Sequence, residues 1–491
     1  MRRSGVLDLI VRANDIRGRV PDELDDDVAH ALGAAFGTLT RPMGADGQPP
    51  GIVVGRDMRA HSATLCAAFV AGATSRGVDV TDIGLCATDE LYFASGLLDL
   101  PGAVFTPSHN PADYGGVKLT GRRAAPMGLE SGLAEVTALT GELLDDTDAG
   151  RRDAPPAAHP GVVRERDLLP EYAAHLRSLA PLNHIRPLRV VVDAGNGMAG
   201  LTAPAVFGGT PVEVEPLYFE LDGTFPNHEA NPLVPANLID LSAAVVSAGA
   251  DAGLAFDGDA DRCFVLDENG ATVPPSAIAA LVAVRELARH PGAAVIHNLI
   301  TSRAVPEVVV EHGGRPVRTR VGHSFIKAAM AQTGAVFGGE HSAHFYFRDF
   351  WGADSGMLAA LHVLAALGEQ DGALSDLTSG YTRYVGSGEL NTTVADTAAA
   401  LARTRSSSAE LVALTGAADV TVDTLDGVTL VTPRWWLNVR PSNTEPVVRL
   451  NVEAPDEATM TLLRDHALAV VRGSATDRET YRRTDSKETT R

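Results

Sequence analysis

The sequence predicts an α/β fold built from several sheets. Short apolar runs rich in β-formers alternate with Ala/Leu-rich stretches of helical length. Several of those runs end abruptly in polar loops containing Gly and Asp. At 491 residues the chain also exceeds what one core organises, which points to roughly three or four domains.

The runs Ile52 to Val54, Val78 to Ile83, Val190 to Val192, Gly253 to Phe256, Val295 to His297 and Val336 to Phe337 read as short buried strands. Between them, Ala277 to His290 and Met357 to Leu367 read as helices. Boundaries are expected at Asp145 to Gly161, just before Phe256, and near Gly368 to Ser379, where composition turns polar and rich in Gly or Pro. Strand-to-polar-loop junctions recur: Phe105 into the loop of Ser108, Val192 into Asp193 to Gly197, and Phe256 into Asp257-Gly258-Asp259. That recurrence points to related α/β units with ligands at strand ends. Residues from Ser474 onward lack an apolar face and read as a frayed tail.

Composition excludes several classes. Cys66, Cys86 and Cys263 are too few and too scattered for a disulfide framework or a zinc site, which fits a reducing compartment. No apolar run approaches a bilayer crossing, so a cytoplasmic protein without a membrane partner is expected. The formal charge of -21 argues against a nucleic-acid surface, because clustered cations would be needed to neutralise phosphates. Any bound phosphate must therefore meet a few local cations. Lysine occurs only at Lys118, Lys327 and Lys487. Retaining lysine ten residues after Ser108 fits a need for an ammonium that can change protonation, which arginine cannot do.

Four loops carry candidate chemistry. Thr106-Pro107-Ser108-His109-Asn110-Pro111 places a serine between prolines directly after Gly102 to Phe105. Two fixed φ angles stiffen the loop and can hold Oγ outward as a nucleophile, although such a serine is more often a plain turn residue. Asp257-Gly258-Asp259-Ala260-Asp261-Arg262 sets three carboxylates at alternate positions, which a bent loop can turn onto one divalent cation. A calcium-binding EF-hand loop is defeated by Arg262 at the obligatory glycine position and by strand-like flanks, leaving Mg²⁺ or a solvated acidic turn. Arg440-Pro441-Ser442-Asn443-Thr444, followed by Arg449, offers guanidinium forks, hydroxyls and an amide for a phosphate dianion, or a surface hairpin turn. Gly338-Gly339-Glu340-His341-Ser342-Ala343-His344 offers a carboxylate, a hydroxyl and imidazoles suited to sugar hydroxyls, though either histidine can equally be structural.

Taken together, these loops, with Gly115-Gly116-Val117-Lys118-Leu119, resemble the signature loops of the α-D-phosphohexomutases, in the phosphomannomutase/phosphoglucomutase branch. Asn14-Asp15-Ile16-Arg17-Gly18 and Gly55-Arg56-Asp57-Met58-Arg59 resemble two further family segments, and the order of all of them is the family's. The resemblance implies four domains around a central cleft: three similar α/β domains with mixed sheets and a smaller C-terminal α+β domain. Divided on that plan, 1–155 holds the serine loop, 156–255 ends at the metal loop, 256–372 holds the sugar loop, 373–475 binds phosphate, and 476–491 is the tail.

The resemblance further implies that Ser108 is phosphorylated in the active enzyme, and that Asp257, Asp259 and Asp261, with the Ser108 phosphate, hold Mg²⁺ beside Arg262. It places Lys118, Arg17, His109 and His323 in proton transfer and charge control. Glu340, Ser342 and His344 match the sugar loop, and Arg440, Ser442, Asn443, Thr444 and Arg449 match the loop for the phosphate that is not transferred. The implied reaction interconverts hexose 6-phosphate and hexose 1-phosphate through a hexose 1,6-bisphosphate, which also serves as activator. Sugar phosphates are then the partners, and the protein a monomer or small homo-oligomer. His341 and Ala343 depart from the methionine and glycine of many members, leaving the preference among mannose, glucose and glucosamine open. A phosphatase using the same phosphoserine and a non-catalytic phosphosugar sensor are the readings from other classes.

Overall fold

The computed structural model describes residues 3–40, 51–148, 157–442 and 447–473. The Pro- and Gly-rich stretch from Arg41 to Pro50 and the expected tail from Ser474 lie outside those residues, as do Asn443 and Thr444.

Each predicted run carries a strand, with ends shifted by one or two residues. The first sheet has the order β1-β5-β4-β2-β3-β6, from β1 (Ile16–Arg19), β2 (Gly51–Arg56), β3 (Asp79–Leu85), β4 (Gly102–Phe105), β5 (Tyr114–Thr120) and β6 (Val163–Glu165). The second, β11-β10-β9-β7-β8, is built from β7 (Leu188–Asp193), β8 (Val212–Leu217), β9 (Ala252–Phe256), β10 (Cys263–Leu266) and β11 (Thr272–Val273). The third, β13-β12-β14-β15-β16, comprises β12 (Ala294–Asn298), β13 (Arg315–Thr319), β14 (Phe337–Gly339), β15 (Phe345–Phe347) and β16 (Ala353–Asp354). The fourth is antiparallel: β17 (Val385–Gly386), β18 (Leu390–Thr393), β19 (Thr421–Asp423), β20 (Val428–Val431), β21 (Trp436–Pro441) and β22 (Val447–Ala454).

The first three sheets share one device. In each, a strand runs parallel to one neighbour and antiparallel to the strand that follows it in sequence: β4 beside β2 and β5, β9 beside β7 and β10, β14 beside β12 and β15. The serine, aspartate and sugar loops are the three connections at that equivalent place, where the parallel part of each sheet ends. Open α/β sheets bind ligands at the carboxyl ends of such strands. The division expected at 255/256 falls inside β9, one residue before the aspartate loop, and β9 pairs with β10 in register from Cys263↔Phe256 to Leu266↔Gly253, so the second sheet runs on to Val273. The polar loop between them disguises a hairpin as a boundary.

The cores explain how the loops are held. A continuous apolar cluster joins the second and third sheets with the helix Thr88–Leu98 of the first unit, including Leu91, Phe93, Leu254, Phe256, Phe345 and Met357. Separate clusters fill the rest of the first unit, around Phe36, Phe69 and Phe105, and the fourth, around Trp435, Leu437 and Leu463. Trp436 of the fourth unit packs with Leu299 and Ile300 of the third. Among the described residues no helix is long and apolar enough to cross a membrane.

Candidate active site

The serine loop begins where β4 ends. Ser108 is 3% exposed and sits at φ 57°, a left-handed conformation that costs a non-glycine residue about 1–2 kcal/mol and so must be held by its surroundings. Thr106 Oγ1 accepts from the Ser108 amide at 3.0 Å. The larger restraint is Arg59, a fully buried guanidinium that donates to the carbonyls of Pro111 (2.6 Å), Asn110 (2.6 Å) and Ser108 (3.1 Å). Asp57, itself buried, lies 3.4 Å from Arg59 and accepts from Ser62 Oγ. The Gly55 to Arg59 segment thus earns its place beside the serine as a clamp on the loop's backbone.

So fixed, Ser108 Oγ donates to Asp257 Oδ2 at 2.9 Å and lies 3.1 Å from His109 Nδ1. Arg262 donates Nε to the same Asp257 oxygen at 2.9 Å, and its Nη2 donates to His109 Nδ1. Burial, assisted by Arg262 and Arg17, depresses His109 to about 2, so it is a neutral ring and an acceptor. Arg17 is oriented by Asp15 at 2.7 Å and reaches across to Asn110 Oδ1 at 2.7 Å and Pro107 O at 3.1 Å. It therefore touches the serine loop from β1, the antiparallel neighbour of the strand carrying Lys118.

The aspartate loop turns at Ala260 (φ 60°), and Asp257, Asp259 and Asp261 are all buried. One oxygen from each lies within 4.8 Å of the others. Asp259 Oδ1 and Asp261 Oδ1 are buried and have no hydrogen-bond partner. Three buried, convergent carboxylates, two of them with an orphaned oxygen, could hold a hard divalent cation. Met198, the residue after the predicted Asp193 to Gly197 junction, donates its amide to Gly258 O at 3.0 Å and ties that junction to the aspartate loop. Lys118 Nζ bonds Asp259 Oδ2 and Asp261 Oδ2, both at 2.6 Å. Burial opposes its charge, but the two carboxylates prevail and hold it protonated, raising it well above the usual lysine range. Burial likewise opposes the Asp259 carboxylate, and Lys118 outweighs it, keeping Asp259 below the usual range.

The third unit completes the cleft with His323, Lys327, His344 and Asp354, which line it together with Arg17, Ser108, Lys118, Asp261 and Arg262. His323 is neutral, burial driving it to about 3. His344 Nδ1 donates to Asp354 Oδ2 at 3.0 Å, and Ala343 before it adopts φ 65°, which explains why glycine suits that position. Glu340 points elsewhere: Oε1 accepts from Asn298 at 3.0 Å and Oε2 from Tyr346 at 2.8 Å. Glu340 and Ser342 are not among the residues lining the cleft at Ser108.

Nor are Arg440, Ser442 and Arg449. Arg440 and Arg449 face each other across β21 and β22, and Glu389 accepts from both; Arg440 also reaches Asn451 at 2.9 Å. Sequence reasoning passed over Arg59, Thr88 (which donates to Asp259), Asp354, Tyr92 and Glu389 as site residues. Only Arg59 lay in a segment already singled out.

Comparison with known proteins decides the family. Models of the phosphoglucomutase/phosphomannomutase domains match in order: α/β/α domain I over 8–140, domain II over 170–270, domain III over 274–384, and the C-terminal domain over 389–470. The chain belongs to the phosphoglucomutase/phosphomannomutase family. It is a mutase. A phosphomannomutase of Salmonella montevideo is 40% identical over 452 residues, spanning 90% of this chain and 94% of the relative. One from Escherichia coli K12 is 38% identical, covering 93% and 97% respectively. The crystal structure of a phosphoglucomutase/phosphomannomutase family protein of Burkholderia thailandensis superposes with TM-score 0.82 at 32% identity, covering 96% of this chain and 98% of that one. Each matched range covers most of one sheet, with the edge strands β6, β11 and β17 lying between matched ranges.

Proposed function

We propose that this mutase interconverts hexose 6-phosphate and hexose 1-phosphate, with mannose and/or glucose as the sugar, through phosphorylated Ser108 and a hexose 1,6-bisphosphate. The observation that carries the reading is a buried Ser108 hydroxyl bonded to Asp257 of the carboxylate trio from the second unit, in a cleft also lined by Arg17 and Lys118 of the first unit and Arg262 of the second. Phosphoryl transfer needs in-line positioning and neutralisation of spreading negative charge more than covalent ingenuity. The curated relatives' name, phosphomannomutase, supports mannose as one substrate.

In the first half-reaction a substrate hydroxyl oxygen bonds to phosphorus while the bond from phosphorus to Ser108 Oγ breaks. The bisphosphate formed then turns over and returns its other phosphoryl group to Ser108. Arg17 and Arg262 face the oxygens on which charge develops. Lys118 is the candidate acceptor of the hydroxyl proton; its pairs with Asp259 and Asp261 keep it protonated, so it takes that role only once they loosen. Asp257, Asp259 and Asp261 are proposed to hold Mg²⁺, which supplies Lewis-acid withdrawal of charge from a phosphoryl oxygen. Arg440, Arg449 and Ser442, with Asn443 and Thr444, are proposed to grip the phosphate that stays put, Glu389 keeping the two guanidinium groups together beforehand. The protein is proposed to act as a cytoplasmic enzyme on small sugar phosphates.

A coupled assay on mannose, glucose and glucosamine 1-phosphates, with Mg²⁺ and a hexose 1,6-bisphosphate, tests the reading. Isomerisation of mannose or glucose 1-phosphate without stoichiometric inorganic phosphate is expected. Release of inorganic phosphate in its place would assign a phosphatase.

A further inference from the structure

Lys327 is one of three lysines in a chain that otherwise takes its side-chain cations from arginine, and it faces the same cleft as Lys118. It follows His323 by one turn on the helix His323–Thr333, so both side chains leave the same face. Only 7% exposed, its ammonium lies 2.9 Å from Asp354 Oδ1, 4.5 Å from the Tyr92 ring centre and 5.8 Å from that of Tyr346. Burying an ammonium is costly, and here one carboxylate and two ring faces offset that cost.

Two of those neighbours lead into the sugar loop. Asp354 uses its other oxygen to accept from His344 Nδ1 at 3.0 Å, and Tyr346 donates its hydroxyl to Glu340 Oε2 at 2.8 Å. Glu340 and His344 also close the loop on each other, the Glu340 amide donating to the His344 carbonyl at 3.0 Å. One point charge therefore stands behind both ends of the loop, in contact with each through a single intermediate side chain. An arginine here would offer a wide planar fork in place of a compact ammonium with three rotatable donors, and so would change the contact with Asp354.

We infer that Lys327 is a positioning residue that fixes Glu340 and His344 relative to each other, through Tyr346 and Asp354, and so sets which hexose epimer the loop accepts. The inference rests on the sugar-phosphate reading above. It is tested on the full-length protein with Lys327→Met, Lys327→Arg, Asp354→Asn and the Lys327→Met/Asp354→Asn double variant. Two readouts are taken: the ratio of kcat/KM for mannose against glucose 1-phosphate, and the His344 imidazole resonances in long-range ¹H–¹⁵N spectra.

Each single variant is expected to change the epimer ratio by at least about threefold, to shift the His344 resonances, and to be non-additive in the double variant. An unchanged ratio with unmoved resonances would overturn the inference, as would strict additivity. If Lys327→Met does not fold, the same two outcomes are read from Lys327→Arg, which keeps the charge and alters its shape. A wild-type protein that isomerises neither sugar would overturn the functional reading, whereas an active wild type with an unmoved ratio in the variants would overturn the role of Lys327 alone.

Discussion

Ser108 Oγ donates to Asp257 Oδ2 across 2.9 Å, joining the loop that ends β4 to the loop that ends β9. The two residues lie on loops of different sheets, and they are brought together by the packing of the first unit's helix Thr88–Leu98 against the second core and by polar ties between the units, Lys118 to Asp259 and Asp261 and Arg262 to His109. The first prediction follows from this contact. Ser108→Ala should lower turnover by at least about a thousandfold while leaving sugar-phosphate affinity within a few-fold, because it removes the atom that carries phosphorus and little else. Isothermal titration with hexose 6-phosphate beside the coupled assay checks both halves.

Asp259→Asn should weaken binding of Mg²⁺ alone by at least about tenfold. The residue contributes a buried oxygen with no hydrogen-bond partner, so neutralising it removes charge from the trio without opening the core. Calorimetric titration of the cation in the absence of sugar is the measurement. Chelation should silence the wild-type enzyme reversibly.

Arg59→Met should destabilise the protein by about 3–5 kcal/mol, since it leaves Asp57 as an uncompensated buried charge and strips three carbonyls of the serine loop of their donor. Urea unfolding gives the stability change. The same variant should lose activity under conditions where it remains folded, because Ser108 would relax from its left-handed conformation.

Acid sensitivity has a definite sign. His362 is buried and stacked on Phe347 with neither ring nitrogen hydrogen-bonded, Nε2 lying 3.6 Å from Glu286, and burial with Arg285 and Arg289 nearby drives it to about 3. In the unfolded chain it takes up a proton near pH 6.5. Between those values the unfolded state binds more protons, so stability is full above about pH 6.5 and falls as pH drops towards 3. His362→Phe should flatten that limb in thermal melts across the range. A limb of unchanged steepness would remove His362 from the account.

Much of this was legible in the chain itself, for physical reasons. Runs such as Ile52 to Val54 and Gly253 to Phe256 are buried on both faces, so their apolar continuity marks them as strands, and the loops between prolines and alternating aspartates announce themselves by composition. Arg59, Asp354 and Thr88 did not stand out because their roles are tertiary: Arg59 and Thr88 bind loops remote in sequence, Asp354 meets a lysine on another element, and a buried arginine looks like any other before the fold is known. The 255/256 division failed to mark a sheet edge because an antiparallel hairpin with a long polar connection reads locally like a linker. Lys118 was legible as a lysine near Ser108, but its capture by two aspartates was not.

The central claim is that Ser108 carries a phosphoryl group between sugar positions. Incubating the protein with hexose 1,6-bisphosphate bearing ³²P, isolating the enzyme and mapping its peptides should place label on Ser108. A chase with unlabelled hexose 6-phosphate should then move that label into hexose bisphosphate with little inorganic phosphate released. Label absent from Ser108, or discharged to water in preference to the sugar, would contradict the account.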